Sequence, residues 1–185
     1  MAEGKISKPE EASTSKFYLL FDDITDETAK GAVEWILNAN YDDTRPTSLN
    51  LIINSCGGSL SSAFAIIDTM RGSKIPVTTT GLGEISSAGL MVFFAGHKGS
   101  RTLTPNTAIM SHQFSSAAVG KAYELFNEQR NLNLISERIF RHYKTCTGLG
   151  KKQIEKYLLP QHDVYLTAQE ALELKLCDKI ALLDK

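Results

Sequence analysis

Short apolar runs alternate with amphipathic stretches through the first half of the chain, and this alternation limits the fold more than any other feature. Three of the runs predict buried strands: FYLLF at 17–21, SLNLIINS at 48–55 and PVTTTGLG at 76–83. The two stretches between them carry helical apolar stripes, formed by Ala29, Ala32, Val33, Ile36 and Leu37 and by Ala63, Ile66, Ile67 and Met70. Strands that alternate with helices favour a mostly parallel sheet flanked by helices, so the sequence predicts an α/β fold.

The second half of the chain is predicted to be mainly helical. After two more strands, in RTLTP and TAIMSHQ, one long amphipathic segment runs from about 119 to 145. One broad side of it is apolar, while Leu134 and Phe140 point elsewhere. Burial against a second subunit is the natural explanation, although a long helix lying across its own domain would also serve. A capping box of Thr167 and Glu170 opens a last helix at 168–175, and the strand KIALL closes the chain.

Composition excludes several classes of protein. A hydrophobic content of 42% with 22% charged residues is typical of a soluble globular domain. The net charge of −1 offers no electrostatic footprint for nucleic acid or anionic lipid. No signal peptide or apolar run of about 18 residues is present, so we expect neither export nor membrane insertion. The three cysteines, Cys56, Cys146 and Cys177, lack C-x-x-C spacing, which favours reduced thiols in a cytoplasmic protein over a disulfide or a zinc site.

The first 16 residues contain no apolar periodicity. We therefore expect residues 1–16 to be a disordered polar tail and residues 17–185 to form a single domain.

Three features that could carry chemistry fall at the carboxyl ends of predicted strands, where α/β proteins bind ligands. They are Gly57-Gly58 after the strand 48–55, Ser86-Ser87 after the strand 76–83, and His112 at the end of TAIMSHQ. A glycine pair lets the backbone approach a substrate closely, and a nucleophilic serine needs a base such as histidine.

Each of these features also has a purely structural interpretation. The serines could cap a helix, the glycines could form a tight turn, and His112 could be a buried histidine with satisfied hydrogen bonds. The other histidines, His97, His142 and His162, are expected at the surface among charged or loop residues. The coincidence of all three features favours a serine hydrolase.

Four motifs in register carry a resemblance to a known family. INSCGGSLSSAFAIIDTM, GEISSAGLMVFFAG, RTLTPNTAIMSHQ and DVYLTAQEALELKLCDKI resemble the proteolytic subunits of the Clp protease, over roughly residues 48–183. The resemblance implies the repeated β-β-α spiral fold that these subunits share with crotonases, with a long protruding helix. It also implies a serine endopeptidase that works without a cofactor or a metal ion.

The resemblance also implies which residues are catalytic. The family's nucleophile falls on Ser87, its base on His112 and its third triad member on Asp163 in HDVYLTA. The motif alone selects this aspartate over Asp68 or Asp178. The oxyanion hole would consist of the N–H groups of two further residues, Gly58 and Ala88.

The implied partners are further copies of the chain, most simply two stacked heptameric rings enclosing a chamber, together with a Clp-type AAA+ unfoldase and unfolded polypeptide substrates. Family members usually have a longer stretch before the first strand, so we expect an N-terminally short member with a wider axial entrance. Two alternatives remain open, an inactive or regulatory Clp-type ring subunit and a crotonase-type enzyme acting on acyl-CoA thioesters.

Overall fold

A computed structural model describes residues 14–43 and 46–183. Within them the strands are β1 (Ser15–Leu20), β2 (Ser48–Ser55), β3 (Val77–Ser86), β4 (Arg101–Leu103), β5 (Ala108–Ser111), β6 (Val164–Thr167) and β7 (Lys179–Ile180). The helices are α1 (Asp26–Tyr41), α2 (Leu60–Gly72), α3 (Ser87–Phe94), α4 (Ala122–Thr147), α5 (Lys151–Tyr157) and α6 (Ala168–Glu173).

The strands form one sheet that is mostly parallel. β1, β2, β3, β4 and β7 pair side by side in that order, all in parallel. β5 pairs in parallel with the last residues of β3, and β6 pairs antiparallel with β5. With helices packed on this sheet, the predicted α/β fold class is confirmed.

The long strand β3 pairs with two different strands along one of its edges. Its residues 79–81 pair with β4, and its residues 84–86 pair with β5. Ser86 lies opposite Met110 in this register. The carboxyl ends of β3 and β5 therefore lie side by side, and α3 begins directly at the end of β3.

Helix α3 is the most deeply buried helix of the fold. All residues from Ala88 to Phe94 are buried, which is what a helix apolar on every side requires. α1 and α2 present the apolar stripes predicted from the sequence: Ala29, Ala32 and Ile36 are buried on α1, and Ala63, Ile66, Ile67 and Met70 on α2. Val33 and Leu37, also assigned to the α1 stripe, are only partly buried and exposed, respectively.

Helix α4 packs on the domain only near its C-terminal end. Its buried residues are Ile139, His142 and Tyr143, while Tyr123, Phe126 and Leu134 are 60%, 77% and 52% exposed. The helix ends at Gly148 in the left-handed conformation, a common helix C-cap. The long protruding helix is therefore present, and the described residues leave several apolar side chains of its N-terminal half exposed.

Several boundaries differ from the predicted ones. β1 begins at Ser15, so residues 15 and 16 belong to a strand and not to the predicted tail, because they pair with Ser48 and Leu49 of β2. The rest of that tail, up to residue 13, lies outside the described residues. β3 extends to Ser86, while the strand in TAIMSHQ ends at Ser111. α5 and β6 had not been predicted. No helix among the described residues is long and apolar enough to cross a membrane.

Candidate active site

The turn from β3 into α3 holds Ser87 in an unusual backbone conformation. Ser86 is the N-cap of α3 and is extended, with φ −129°, while Ser87 has φ +50°. A positive φ is uncommon for residues with a side chain, and it lets the chain turn sharply between strand and helix. The side chain of Ser87 therefore stands at the N-terminus of α3, where the first backbone N–H groups have no partner inside the helix.

Ser86 does not cap this helix with its side chain. Its hydroxyl donates to Glu84 Oε1 at 2.7 Å, and the residue is fully buried. Glu84 and Ser86 share a face of β3 because side chains alternate along a strand. The hydrogen bond between Ser86 and Glu84 had not been predicted, although their spacing of two residues in a strand was a signal for it. The first N–H groups of α3 are consequently not occupied by the Ser86 hydroxyl.

The glycine pair after β2 packs directly against the serine turn. Gly57 has φ +105° and Gly58 has φ +135°. A Cβ atom on Gly57 would lie 2.7 Å from Ser87 Cβ and 2.9 Å from the backbone nitrogen of Ala88. This close approach requires glycine on steric grounds as well as for its φ angle. Ser55, which had not been predicted as a site residue, accepts the Gly57 N–H at 3.2 Å and anchors the loop.

Gly58 forms an isolated parallel bridge with Ile24. The two hydrogen bonds of the bridge run from Ile24 N to the Gly57 carbonyl, at 2.6 Å, and from Ser59 N to the Ile24 carbonyl, at 2.8 Å. Neither bond uses the N–H of Gly58. That N–H and the N–H of Ala88 in the first turn of α3 are the two groups that the sequence indicated for an oxyanion hole.

His112 lies immediately after β5, and its Nε2 is 2.8 Å from Ser87 Oγ. The parallel pairing of β3 with β5 is what brings the two residues together. This distance is that of a good hydrogen bond. In the tautomer that carries the ring proton on Nδ1, Nε2 accepts the proton of the serine hydroxyl.

Asp163 lies immediately before β6. The antiparallel ladder sets Ser111 opposite Val164, so the residues that adjoin them, His112 and Asp163, meet at the end of the ladder. Asp163 Oδ1 lies 3.6 Å from His112 Nδ1, and the Asp163 side chain is 52% exposed. The distance is longer than a hydrogen bond but allows a charge interaction with a protonated imidazole.

The other two aspartates considered for the third position are engaged elsewhere. Asp178 binds Arg101 through both carboxylate oxygens, at 2.7 Å and 2.9 Å, and it also accepts the Gly99 N–H. These donors hold its pKa below the usual value despite the opposing effect of burial, the largest single influence. Asp68 belongs to α2 and lines a small cleft beside His142. Of the three, the structure brings Asp163 to His112.

An open groove continues from the histidine. It begins at Gln113 and Phe114, directly after His112, and runs beneath α4 towards α5. Its apolar lining includes Leu132, Ile139, Phe140 and Leu159. Ser87, His112 and Asp163 are not themselves part of the lining.

One histidine was assigned wrongly. His142 had been expected at the surface, but it is only 2% exposed because it packs between α2 and α3. Its Nε2 donates to the Met91 carbonyl at 2.8 Å, and its Nδ1 accepts from Arg71 Nη2 at 2.9 Å. Burial is the main cause that lowers the pKa of His142 from 6.5 to about 4. His97 and His162 are exposed, as expected.

Comparison with known families completes the description of this site. A family model described as Clp protease matches residues 10–183. The match covers both strands that end at the serine and the histidine, the glycine loop and the segment that carries Asp163.

Proposed function

Because the chain belongs to the Clp protease family, we propose that it is a self-compartmentalised serine endopeptidase that cleaves unfolded polypeptides into short peptides. One observation carries this proposal more than any other. The hydroxyl of Ser87, at a positive-φ turn, lies 2.8 Å from His112 Nε2. An inactive subunit kept only for assembly would have no need of this strained turn, and an acyl-CoA enzyme of the crotonase type would need no serine and histidine pair.

The proposed chemistry is acyl transfer in two steps. Ser87 Oγ attacks the carbonyl carbon of the scissile peptide bond while His112 Nε2 takes the serine proton. The peptide C–N bond then breaks, and His112 returns that proton to the leaving amine. A water molecule, deprotonated by His112, hydrolyses the resulting ester and restores the serine. In both steps Asp163 stabilises the imidazolium by its negative charge.

The negative charge that develops on the substrate oxygen needs donors in fixed positions. In this proposal the N–H groups of Gly58 and Ala88 supply them, the second at a helix N-terminus where the helix dipole favours an anion. The contact of Gly57 with Ser87 and Ala88 supports this arrangement, because it holds the glycine loop against the first turn of α3.

The substrate is proposed to bind as an extended strand. It would lie between the glycine loop and the segment after His112, along the groove that starts at Gln113 and Phe114. Main-chain hydrogen bonds would supply most of the affinity, so that cleavage depends little on the sequence of the substrate. Only an unfolded chain can present such a strand.

Assembly would restrict access to this site. Members of the family generally form oligomeric rings, and the exposed apolar residues of α4, among them Tyr123 and Phe126, are candidates for contacts between copies. We propose two stacked heptameric rings that enclose the active sites, with a Clp-type AAA+ unfoldase delivering substrates. Enclosure would protect folded proteins from a peptidase that has little selectivity of its own.

A fluorophosphonate probe tests the activity directly. Because such a probe reacts with an activated serine, we expect mass spectrometry to locate the adduct on Ser87. A Ser87→Ala variant should lose the label, and the matched Ser86→Ala variant should keep it. A folded, assembled wild-type protein that takes up no label would instead indicate an inactive ring subunit.

A further inference from the structure

The segment that carries Asp163 is held by the two residues that flank His112. This segment, residues 158–163, joins α5 to β6. Ser111 Oγ donates to the Leu158 carbonyl at 2.7 Å, and Gln113 Nε2 donates to the Leu159 carbonyl at 3.2 Å. His112 itself contacts Ser87 and Asp163. The strand end that supplies the histidine therefore also binds the segment that supplies the aspartate.

The hydrogen bond from Ser111 is the stronger of these two anchors. Ser111 is 1% exposed and Leu158 is fully buried, so water cannot replace the bond if the hydroxyl is removed. An unpaired carbonyl in such a site is costly, and the segment would have to move to find another donor. Gln113, by contrast, makes a longer bond at a position open to solvent.

Tyr143 of α4 is buried close to Ser111. The tyrosine is 2% exposed, and burial is the main cause that raises its pKa to about 12, while Ser111 acts to lower it. Its ring packs edge-on against Phe94 at the end of α3, with 5.8 Å between centroids. Ser111 therefore lies in the packed interior, in agreement with its 1% exposure.

The distance between Asp163 and His112 is already longer than that of a hydrogen bond. Asp163 Oδ1 is 3.6 Å from His112 Nδ1, and the aspartate side chain is half exposed. A further displacement of the segment would weaken the charge interaction rapidly, because water would enter between the two groups. A small displacement of the backbone at Leu158 would therefore weaken the interaction between His112 and Asp163.

We infer that Ser111 is a positioning residue that sets the distance between Asp163 and His112 through its hydrogen bond to the Leu158 carbonyl. This inference rests on the proposed function, since it concerns the same three side chains. It assigns a role to Ser111, the residue that precedes His112 in TAIMSHQ.

The test compares Ser111→Ala with Thr107→Val, which removes another buried hydroxyl bonded to a backbone carbonyl in the loop just before β5. We expect Ser111→Ala to lower kcat for a fluorogenic peptide on the order of tenfold, the effect of one buried hydrogen bond. KM should change much less than kcat, because Ser111 itself does not line the proposed substrate groove. Thr107→Val should cause almost no loss of kcat. Equal kcat values for Ser111→Ala and Thr107→Val would overturn the inference.

A double variant separates positioning from general loss of stability. In an Asp163→Asn background, adding Ser111→Ala should slow fluorophosphonate labelling of Ser87 by less than about twofold, because the contact that Ser111 maintains is already impaired. A further tenfold loss would mean that Ser111 acts through another route, and the inference would be wrong.

A measurement without turnover keeps this inference distinct from the proposed function. Amide hydrogen exchange in residues 158–167 should be faster in Ser111→Ala than in Thr107→Val. If the wild-type protein neither hydrolyses peptides nor is labelled at Ser87, the proposed function fails. The anchoring role of Ser111 is then tested by amide hydrogen exchange alone. Faster exchange would then support the anchoring role, whereas unchanged exchange would overturn it.

Discussion

The hydroxyl groups of Ser86 and Ser87, adjacent in sequence, point to different partners. Ser86 Oγ donates to Glu84 Oε1 at 2.7 Å, while Ser87 Oγ lies 2.8 Å from His112 Nε2. The reversal arises because the backbone changes from an extended φ of −129° at Ser86 to +50° at Ser87. One serine thus belongs to the strand and the other to the helix.

This difference leads to the first prediction. Ser87→Ala should abolish peptide hydrolysis, since the remaining serine hydroxyl is directed away from His112. Ser86→Ala should retain most of the activity. Initial rates with a fluorogenic peptide measure both variants. An equal loss of activity in both variants would contradict the assignment of Ser87 as the nucleophile.

The glycine loop provides the second prediction. Gly57→Ala should reduce kcat at least about a hundredfold, because the new methyl group would collide with Ser87 Cβ and the Ala88 nitrogen at 2.7 Å and 2.9 Å. Gly72→Ala, at the end of α2, is the matched control, since nothing lies within 4 Å of its added Cβ. The control should keep full activity. Steady-state kinetics compares them, and an active Gly57→Ala enzyme would contradict the described packing.

The third prediction concerns the ion pair between Arg101 and Asp178. Their side chains are 5% and 18% exposed, so Asp178→Ala leaves a buried guanidinium without its partner. The free energy of unfolding should fall by about 3 kcal/mol or more. Lys30→Ala, which removes the exposed pair with Glu34, should change it by less than about 0.5 kcal/mol. Urea denaturation at one protein concentration makes the comparison, and similar losses would contradict it.

The fourth prediction concerns His142. Burial lowers the pKa of this histidine from 6.5 to about 4. Between these values the unfolded chain binds a proton that the folded chain excludes. The stability that this residue contributes is therefore complete above pH 6.5 and is lost as the pH falls towards 4, by about 3 kcal/mol in all. His142→Gln cannot take up this proton. Urea denaturation should show that the difference in free energy of unfolding between wild type and variant becomes smaller as the pH falls from 6.5 to 4. A difference that stays constant over this range would contradict the lowered pKa of His142.

The fifth prediction concerns assembly. Static light scattering at micromolar concentration should report a mass many times the 20.3 kDa of one chain. Phe126→Asp, at a residue that is 77% exposed on α4, should lower that mass, because a charge would replace apolar contact between copies. Glu128→Gln, on the same helix, should leave it unchanged. A monodisperse wild-type monomer would rule out the proposed rings.

Much of the fold was predictable because local patterns encode it. The alternation of strands and helices and the capping box of Thr167 and Glu170 appear where the sequence indicated. Hydrophobic period and helix capping involve residues only a few positions apart, so they can be recognised in the chain itself. The pair Ser86-Ser87 and His112 were also singled out there, from their places at the ends of predicted strands. The family resemblance then selected Ser87 of the pair, and the catalytic roles remain predictions.

The relationships that make a site depended on tertiary structure. The approach of Asp163 to His112 requires β6 to pair with β5, and β6 had not been predicted from four residues of sequence. His142 carries the same polar side chain as a surface histidine, and only the packing of α4 against α2 and α3 buries it. These contacts join segments that are far apart in the chain. No local pattern encodes them, because their free energy comes from elements that meet only after the chain has folded.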